Sequence, residues 1–547
     1  MKKKKLLLII FICGNSLFAL SNVNETEKLA TAAKIWGFLK YYHPEVGKGN
    51  FNWDNQLIQI LPKVMEARDK QELSNVYLEW IDTLGKVEIC EKCTSKESKN
   101  YFGKNFDLIW TRDTLLFSKA LIEKLALIEK NRFQGNHHYV SYLKAVGNVN
   151  IKNEPEYPDF NWENESLRLL SLFRYWNYIE YFYPYKYQID KNWDMVLEES
   201  IQTFLSPTSE IDYHLAMLQL IVNINDSHGY LSTNLLNNYF GSYSIPALLE
   251  IIDNKAIITR FLNEKSSKES GWQIGDIILE INDVKIETIL AKNAKYIHGS
   301  NASVKLKNGS GKLYSGSNNS INIKFEREGK IETKNIQNKP FNLSTYEKPI
   351  ADKWRIINGS IGYVNMGEIE RIDVKMIMDS LLNTESIIFD IRNYPKGTMY
   401  AVSNYLNKSP QEFVKFISPD IQYPGKFNWK ETVSCGQKNA KAYTGKVIIL
   451  VNEFTQSHAE FTTMCLQTAE NAIVIGSQTS GADGNVSTVE LVGGFKTGFT
   501  GVGIFYPNGK ETQRIGIIPD IKVKRTINGI KDGKDEVLDR AIQVASE

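Results

Sequence analysis

The chain has 547 residues, of which 42% are hydrophobic and 11% aromatic. This composition supplies packed cores for several domains and excludes a disordered protein. The formal net charge is +2, from 65 basic and 63 acidic residues without long blocks of one sign, so the chain lacks the basic face that a nucleic-acid-binding function requires.

The first residues are typical of an exported protein. Lys2 to Lys5 form a basic region, Leu6 to Cys13 an apolar core, and "GNSLFALS" a small and polar exit. This order predicts a secretory signal peptide at 1–21 and a periplasmic or extracellular mature protein. A lone membrane anchor is the alternative, but the apolar run is shorter than the ~20 residues that span a bilayer. A lipoprotein at Cys13 is disfavoured by Ile12, and no later segment predicts a stable membrane span after signal removal.

An internal repeat follows the signal segment. "KIWGFLKYYHPEVGKGNFNWD" from Lys34 matches "RYWNYIEYFYPYKYQIDKNWD" from Arg174 at an offset of 140 residues. Both copies have the pattern of a helix, a proline-containing turn and a second helix, and they predict N-terminal helical repeats. We place the first copy in a helical domain at 22–155 and the second in a helical segment at 160–235, with a polar, proline-bearing edge between them.

Two cysteines lie close together in the first copy, in "EICEKC". Cys90 and Cys93 have the spacing of half a zinc site, of a redox pair or of a local disulfide. No second C-x-x-C or nearby histidine cluster completes a metal shell, and an exported protein meets an oxidising compartment. The pair is therefore a disulfide candidate.

The pattern changes after the second copy. "YSIPALLEIIDNKAIITRFL" and "GWQIGDIILEINDVKIETI" predict a β-rich domain at 236–340. From 341 to 547 apolar strand-like runs alternate with helical patterns, as in "SIIFDIR" before "TMYAVSNYLN" and "KVIILV" before "SHAEFTTMCLQTAE". This alternation predicts an α/β fold with a mainly parallel sheet.

Ser457, in "VNEFTQSHAEFTTM", stands between such a strand and its helix. Ser457 and Glu460 fit the S-x-x-E capping box, which makes the serine a helix cap. The same place, beyond the carboxyl end of a parallel strand, is where ligands gather and where free helix amides attract negative charge. If Ser457 is instead a nucleophile, its base must come from elsewhere, because His458 points to another side of the helix.

The chain has seven histidines that could supply this base. His214 lies on an apolar helical face, and His43 takes the repeat position of Tyr183, so both fit structural roles. His228 lies in the polar turn "NDSHGYL", where the two copies diverge, and is the candidate base. In "DIRNYPKGT", Gly397 lets the backbone approach a substrate closely.

The chain resembles the C-terminal processing, or tail-specific, serine peptidases, and within them the tricorn-like branch. The resemblance covers residues 165 to 525 and rests on seven motifs in the family's order: "DSHGYL", "GDIILEINDVKIE", "IGYVNM", "FDIRNYPKG", "NEFTQSHAE", "VIGSQTSG" and "GIIPDI". It implies a crotonase/ClpP-like α/β protease core and a PDZ-like domain at 236–340, whose groove takes an extended peptide as an added strand.

The resemblance also implies roles for single residues. Ser457 matches the nucleophile, the main-chain amides of Gly397 and His458 match the oxyanion hole, His228 matches the general base, and Ser227 matches a serine that orients or polarises it.

Two positions depart from the family's patterns. Ala482 stands where the Ser-Lys branch has its lysine, which excludes that dyad and favours His228. Gln513 stands where the tricorn-like branch has a glutamate, and Glu511 lies two residues earlier. The third catalytic member therefore stays open between Glu511 and Gln513.

The sequence thus predicts an exported serine endopeptidase that cleaves polypeptides, with the PDZ-like domain recognising the substrate, for instance by its C-terminus, or gating its entry. No cofactor or metal is implied, and the sequence carries no indication of the oligomeric state. The alternative is a catalytically inactive peptide-binding scaffold of the same fold, since folds are retained when functions change.

Overall fold

The computed structural model describes residues 23–94, 100–144, 146–240, 245, 247–261, 263, 265, 269, 271–313, 320–337 and 351–547. The predicted signal peptide at 1–21 lies outside these residues.

The first part of the described chain is mainly helical. Its helices are α1 (Glu25–Tyr42), α2 (Pro44–Gly47), α3 (Trp53–Glu66), α4 (Lys70–Thr83), α5 (Lys119–Lys130), α6 (Glu165–Phe182), α7 (Trp193–Leu205), α8 (Glu210–Val222) and α9 (Asn234–Tyr239), with 3₁₀ turns at Glu91–Thr94, Ile109–Arg112 and Lys186–Gln188 and a hairpin of β1 (Val140–Tyr142) and β2 (Val149–Ile151).

The two segments that match in sequence make the same internal contacts. Between α1 and α3, Trp36 Nε1 donates to the Trp53 carbonyl (2.9 Å) and Trp53 Nε1 to the Trp36 carbonyl (3.0 Å). Between α6 and α7, Trp176 and Trp193 exchange the equivalent bonds at 2.9 and 3.1 Å. Because a buried indole N–H needs an acceptor, each reciprocal pair fixes the packing of its two helices.

Charged residues join the two helix pairs crosswise. Lys34 on α1 pairs with Asp194 on α7 at 2.9 Å, and Arg174 on α6 forms a buried ion pair with Asp54 on α3. Each pair combines a basic residue of one segment with an acidic residue of the other. The four helices therefore form one packed unit.

An antiparallel sheet follows in the order β3-β4-β5-β7-β8, with β6 on β5. Asp253 and Asn254 between β3 and β4, and Asn282 and Asp283 between β5 and β6, all have positive φ, as two-residue type I′ hairpins require. The elements are β3 (Ala247–Ile252), β4 (Lys255–Phe261), β5 (Ile277–Ile281), β6 (Val284–Lys285), β7 (Ser320–Arg327), β8 (Lys330–Gln337), α10 (Ile286–Asn293) and α11 (Ala302–Gly309), with 3₁₀ turns at Ala294–Tyr296 and Ser310–Lys312.

The C-terminal part contains the mixed α/β fold that the sequence predicts. Its six-stranded sheet has the order β20-β16-β15-β11-β10-β9, and β9 alone runs antiparallel to its neighbour. The elements are β9 (Trp354–Ile357), β10 (Ile361–Asn365), α12 (Val374–Leu381), β11 (Ser386–Asp390), α13 (Met399–Leu406), β15 (Lys446–Val451), α14 (His458–Leu466), β16 (Ala472–Gly476), β20 (Ile521–Lys522), α15 (Ile527–Lys531) and α16 (Glu536–Ser546).

Smaller β elements are inserted between these units. β12 (Gln411–Pro419) pairs with β13 (Phe427–Trp429), β14 (Val433–Cys435) and β19 (Gly503–Phe505), and β17 (Val486–Leu491) pairs with β18 (Phe495–Thr500). β18 ends beside the second helical segment, where the site described below lies.

Both faces of the parallel sheet are buried. On β11, Ile387 and Phe389 pack in the core that includes α12, α13 and α14, whereas Ile388 packs with Val537 and Ala541 of α16. Since successive side chains of a strand point to opposite faces, such a strand is apolar throughout. Asp390 pairs with Leu450 at the ends of β11 and β15, so the loops after these strands lie side by side.

Over the described part of the chain, no helix is long and apolar enough to cross a membrane.

Candidate active site

Ser457 is the residue before α14, in the loop that follows β15. Its backbone has φ 55° and ψ −122°, a region that residues other than glycine seldom occupy and that costs about 1 to 3 kcal/mol. The predicted capping box is present, and Glu460 Oε2 accepts from the Ser457 amide at 3.2 Å. Ser457 is therefore a helix cap held in a strained conformation.

A second loop, residues 479–482, supports this conformation. Its Ala482 carbonyl accepts from the Ser457 amide at 3.0 Å. The carboxylate of Glu460 accepts from the Gly481 and Ala482 amides at 2.7 and 3.0 Å and from the Thr479 hydroxyl. The pKa of Glu460 is raised, because burial outweighs these hydrogen bonds, which act to lower it. Glu460 thus joins the start of α14 to the 479–482 loop.

Two main-chain amides near Ser457 are free. No described residue accepts a hydrogen bond from the amide of His458, the first residue of α14, or from that of Gly397 in the neighbouring loop. Gly397 is exposed, with φ +72° and open space where a Cβ would lie. The Thr455 hydroxyl donates to the Ile391 carbonyl at 2.8 Å and ties the two loops together. Free amides at a helix start are suited to an oxyanion.

The imidazole of His458 does not take part in this arrangement as a base. Its Nε2 is buried without a described hydrogen-bond partner, its ring lies 6.1 Å from that of Tyr394, and burial lowers its pKa. Of the two neighbouring residues, His458 contributes a free amide and Ser457 a hydroxyl.

The turn "NDSHGYL", which carries His228, also contacts the 479–482 loop. The Ser227 hydroxyl lies 3.4 Å from the Ser480 carbonyl, and the Ser480 amide donates to the Thr455 carbonyl, two residues before Ser457, at 3.0 Å. Ser227 also exchanges hydrogen bonds of 2.8 to 3.0 Å with Ser300. Ser227 therefore anchors the turn to two loops; its described bonds do not reach the His228 ring.

His228 is oriented by two residues that the sequence did not single out. Its Nδ1 lies 2.8 Å from the Thr500 hydroxyl at the end of β18 and 3.7 Å from Asp226 Oδ1. No described residue bonds its Nε2. Burial lowers the pKa of His228, and the Asp226 charge opposes this shift. The ring is thus held at Nδ1, and its Nε2 is the nitrogen that can accept a proton.

The two candidates for the third member lie in different places. Gln513 is fully buried, with Nε2 3.4 Å from both Asp226 Oδ1 and the Tyr183 hydroxyl. Glu511 pairs with Lys104 at 2.7 Å and accepts further hydrogen bonds from Tyr187 and Gln188.

The suggestion that Glu511 orients the histidine does not fit this geometry. Its carboxylate is held by the helical part of the chain, and no described contact joins it to His228. Gln513 has no direct contact with the ring either.

Cys90 and Cys93 form a disulfide in the structure. Among the residues that the structure describes, no group of three or more His, Cys, Asp or Glu side chains is arranged to hold a metal ion.

The chemistry that the site around Ser457 can support comes from a hydroxyl, an imidazole and main-chain amides, which together are the parts of nucleophilic acyl transfer.

Comparison with known proteins gives a match in the α/β part. Residues 360–523 match the model of peptidase family S41. Over these residues the chain is similar to S41 peptidases.

One relative is similar over a longer stretch of the chain. A Staphylococcus haemolyticus (strain JCSC1435) protein described as a probable CtpA-like serine protease is 23% identical over 292 residues, which cover 51% of this chain and 52% of the relative. The chain therefore spans about half the length of that relative.

The fold is also similar to solved structures. Mature CPAF in complex with lactacystin is similar with a TM-score of 0.55 at 14% identity, covering 70% of this chain and 98% of CPAF. Mature CPAF gives a TM-score of 0.53 at 14% identity, covering 69% and 96%. At this identity the similarity shows a shared α/β fold.

The matched residues 360–523 include Gly397, Ser457, His458 and both candidates for the acid, whereas His228 lies in the helical part before them. Asp226 stood inside the motif "NDSHGYL" and could have been noticed as a carboxylate beside the histidine. Thr500 gave no such signal, because it lies 272 residues from His228 in the chain.

Proposed function

We propose that this protein is an exported serine endopeptidase of the C-terminal processing type, in its tricorn-like branch, with Ser457 as nucleophile and His228 as general base. The observation that carries this proposal is the strained backbone of Ser457 next to the His458 amide, which, like the Gly397 amide in the neighbouring loop, has no acceptor among the described residues. A serine that serves only as a cap needs neither feature.

We propose the following reaction. In the tautomer with its proton on Nδ1, His228 donates to the Thr500 hydroxyl, 2.8 Å away, and the lone pair of Nε2 takes the Ser457 proton. The serine oxygen attacks the peptide carbonyl, and the Gly397 and His458 amides bind the oxygen that becomes negative. The imidazolium returns the proton to the leaving amine, and water releases the acyl-enzyme by the same steps. The lowered pKa of His228 keeps the base neutral at pH 7.

We assign substrate recognition to the antiparallel sheet of β3 to β8, as a PDZ-like domain that takes a polypeptide, by its C-terminus or as an added strand. Support comes from its contacts with the site. Asn301, which caps α11, donates to the Thr479 carbonyl at 2.8 Å, and Lys307 on α11 donates to the Glu453 carbonyl at 3.1 Å. A ligand that moves α11 would therefore act on both loops, which is the basis of the proposed gating. The helical repeats would brace this unit.

The test uses an unstructured polypeptide such as casein and a serine-directed phosphonate probe on the chain without residues 1–21. Ser457→Ala should abolish cleavage and labelling, and His228→Ala should lower both by at least about a hundredfold. Ser409→Ala, on an exposed loop, is the matched control and should behave as wild type. Wild-type turnover in folded His228→Ala would contradict the assignment of the base.

A second candidate is a catalytically inactive peptide-binding scaffold. It is favoured by one observation, the amide of Gln513 at the position where the resemblance calls for a carboxylate. Absence of labelling at Ser457 in folded wild-type protein that still binds peptides would select this function.

A further inference from the structure

We infer that Asp226, together with Thr500, orients His228 and supplies the negative charge that position 513 lacks. The inference rests on the proposed function and names a positioning pair for it. Neither residue is required to touch the substrate, since both act through the imidazole.

The geometry builds this arrangement from three hydrogen bonds. Asp226 Oδ2 accepts from the Thr500 amide at 2.6 Å, and Asp226 Oδ1 accepts from the His228 amide at 3.1 Å. The third is the hydrogen bond between the Thr500 hydroxyl and Nδ1 of His228, at 2.8 Å. The carboxylate therefore fixes both the backbone that carries the imidazole and the residue that holds its Nδ1.

The charge of Asp226 also acts on the ring directly. Asp226 Oδ1 lies 3.7 Å from Nδ1, and the Asp226 side chain is fully shielded from solvent. In such surroundings a carboxylate favours the protonated imidazole, the form that the base takes after removing the serine proton. The imidazolium formed in the reaction is thus stabilised by a charge that is already in place.

Gln513 fits this arrangement and a glutamate would not. The Gln513 amide lies with Nε2 3.4 Å from Asp226 Oδ1. A carboxylate at 513 would place a second negative charge against the first in a buried site, and two such groups do not both ionise readily. Gln513 instead offers a donor to Asp226. The carboxylate at Asp226 therefore explains why an amide, and not a second carboxylate, stands at position 513.

The charge arrangement can be exchanged to test this. We compare Asp226→Asn, Gln513→Glu and the double variant, with Asp159→Asn in an exposed turn as control. The measurements are kcat and KM for casein cleavage, the pH dependence of kcat/KM, and the rate of phosphonate labelling. Asp226→Asn keeps the size of the side chain, removes its charge and replaces one of its two acceptor oxygens with a donor.

We expect Asp226→Asn to lower kcat by about 10² to 10⁴-fold with a smaller change in KM. The acidic limb of kcat/KM should move to lower pH, because the charge that favours imidazolium is gone. Gln513→Glu alone should also lose activity. The double variant, with one buried charge restored in contact with residue 226, should recover at least about tenfold over Asp226→Asn.

A purely structural role for Asp226 predicts another result. Folded Asp226→Asn with wild-type kcat and acidic limb would overturn the inference, as would a loss of activity with an unmoved limb and no recovery in the double variant. In both cases wild-type protein still labels at Ser457, so the proposed function stands.

Failure of the proposed function is seen separately, as wild-type protein that does not label. The inference is then decided by NMR titration of the histidine ring nitrogens, with His228 assigned from His228→Gln. A titration midpoint of His228 that does not fall in Asp226→Asn would overturn it.

Discussion

Replacement of Asp483 by asparagine should change how the stability of the protein depends on pH. Asp483 directly follows the 479–482 loop and is buried. Its Oδ1 accepts from the Gly484 amide at 2.7 Å, and its Oδ2 has no hydrogen-bond partner among the described residues. Burial, reinforced by the nearby Glu460 carboxylate, raises the pKa of Asp483 well above its usual 3.8.

The sign and size of the effect follow from proton linkage. The unfolded chain releases the Asp483 proton near pH 3.8, whereas the folded chain keeps it. The folded state therefore binds more protons, and its stability falls as pH rises above that value by up to about 1.4 kcal/mol per pH unit. From pH 5 to 7 the loss amounts to up to about 3 kcal/mol. Asparagine has the same shape, is neutral in both states and lacks this slope.

Urea unfolding at pH 5, 6 and 7, followed by tryptophan fluorescence, measures the difference in unfolding free energy between variant and wild type. This difference should grow in favour of Asp483→Asn as pH rises. Asp532→Asn, whose side chain is 56% exposed in the wild type, is the control and should give a difference independent of pH. A constant difference for Asp483→Asn, or one that turns against the variant at pH 7, would show that the folded protein holds a charged Asp483 and refute the desolvation argument.

Two further substitutions test the buried charges and the oxyanion hole. Glu154 lies 2.5 Å from Lys40 and 3.4 Å from Arg174. Glu154→Gln leaves the buried Lys40 without its carboxylate, whereas Arg174 keeps Asp54, and should cost about 3 to 5 kcal/mol of unfolding free energy. The exposed Glu156→Gln should stay within about 0.5 kcal/mol, and equal melting temperatures for the two would contradict this. Gly397→Ala strains a backbone at φ +72° and displaces the amide of residue 397. The kcat for casein cleavage should therefore fall by up to about 10² to 10³-fold, with KM less affected. Wild-type kcat in this variant would argue against the Gly397 amide as an oxyanion donor.

The α/β sheet could be predicted from the sequence because its signal is local. "SIIFD" and "KVIILV" are apolar at every position, since β11 and β15 are covered on both faces. The small sheet around β12 could not be found in this way. β13, β14 and β19 have three residues each, too few for a periodicity, and β19 lies far from β12 in the chain.

The site divides in the same manner. The place of Ser457 between a strand and a helix was predictable, because strand, serine and helix follow one another within a short stretch. The orientation of His228 was not, because it depends on Thr500, brought close only by the β17–β18 hairpin. The family pattern indicates an acid at position 511 or 513, whereas the carboxylate of Asp226, 3.7 Å from the ring, is two residues from the histidine in the chain.

The conformation of Ser457 separates capping from catalysis. Ser118 and Ser209 also cap helices in this chain, with φ of −71° and −156°, and both accept a hydrogen bond from the first turn of their helix. Capping therefore requires no positive φ here, and the strain at Ser457 needs another reason. The Glu460 carboxylate and the Ala482 carbonyl accept hydrogen bonds from the Ser457 amide and hold the residue in this conformation. The next amide, that of His458, stays free beside the hydroxyl, which is the arrangement that attack on a carbonyl requires.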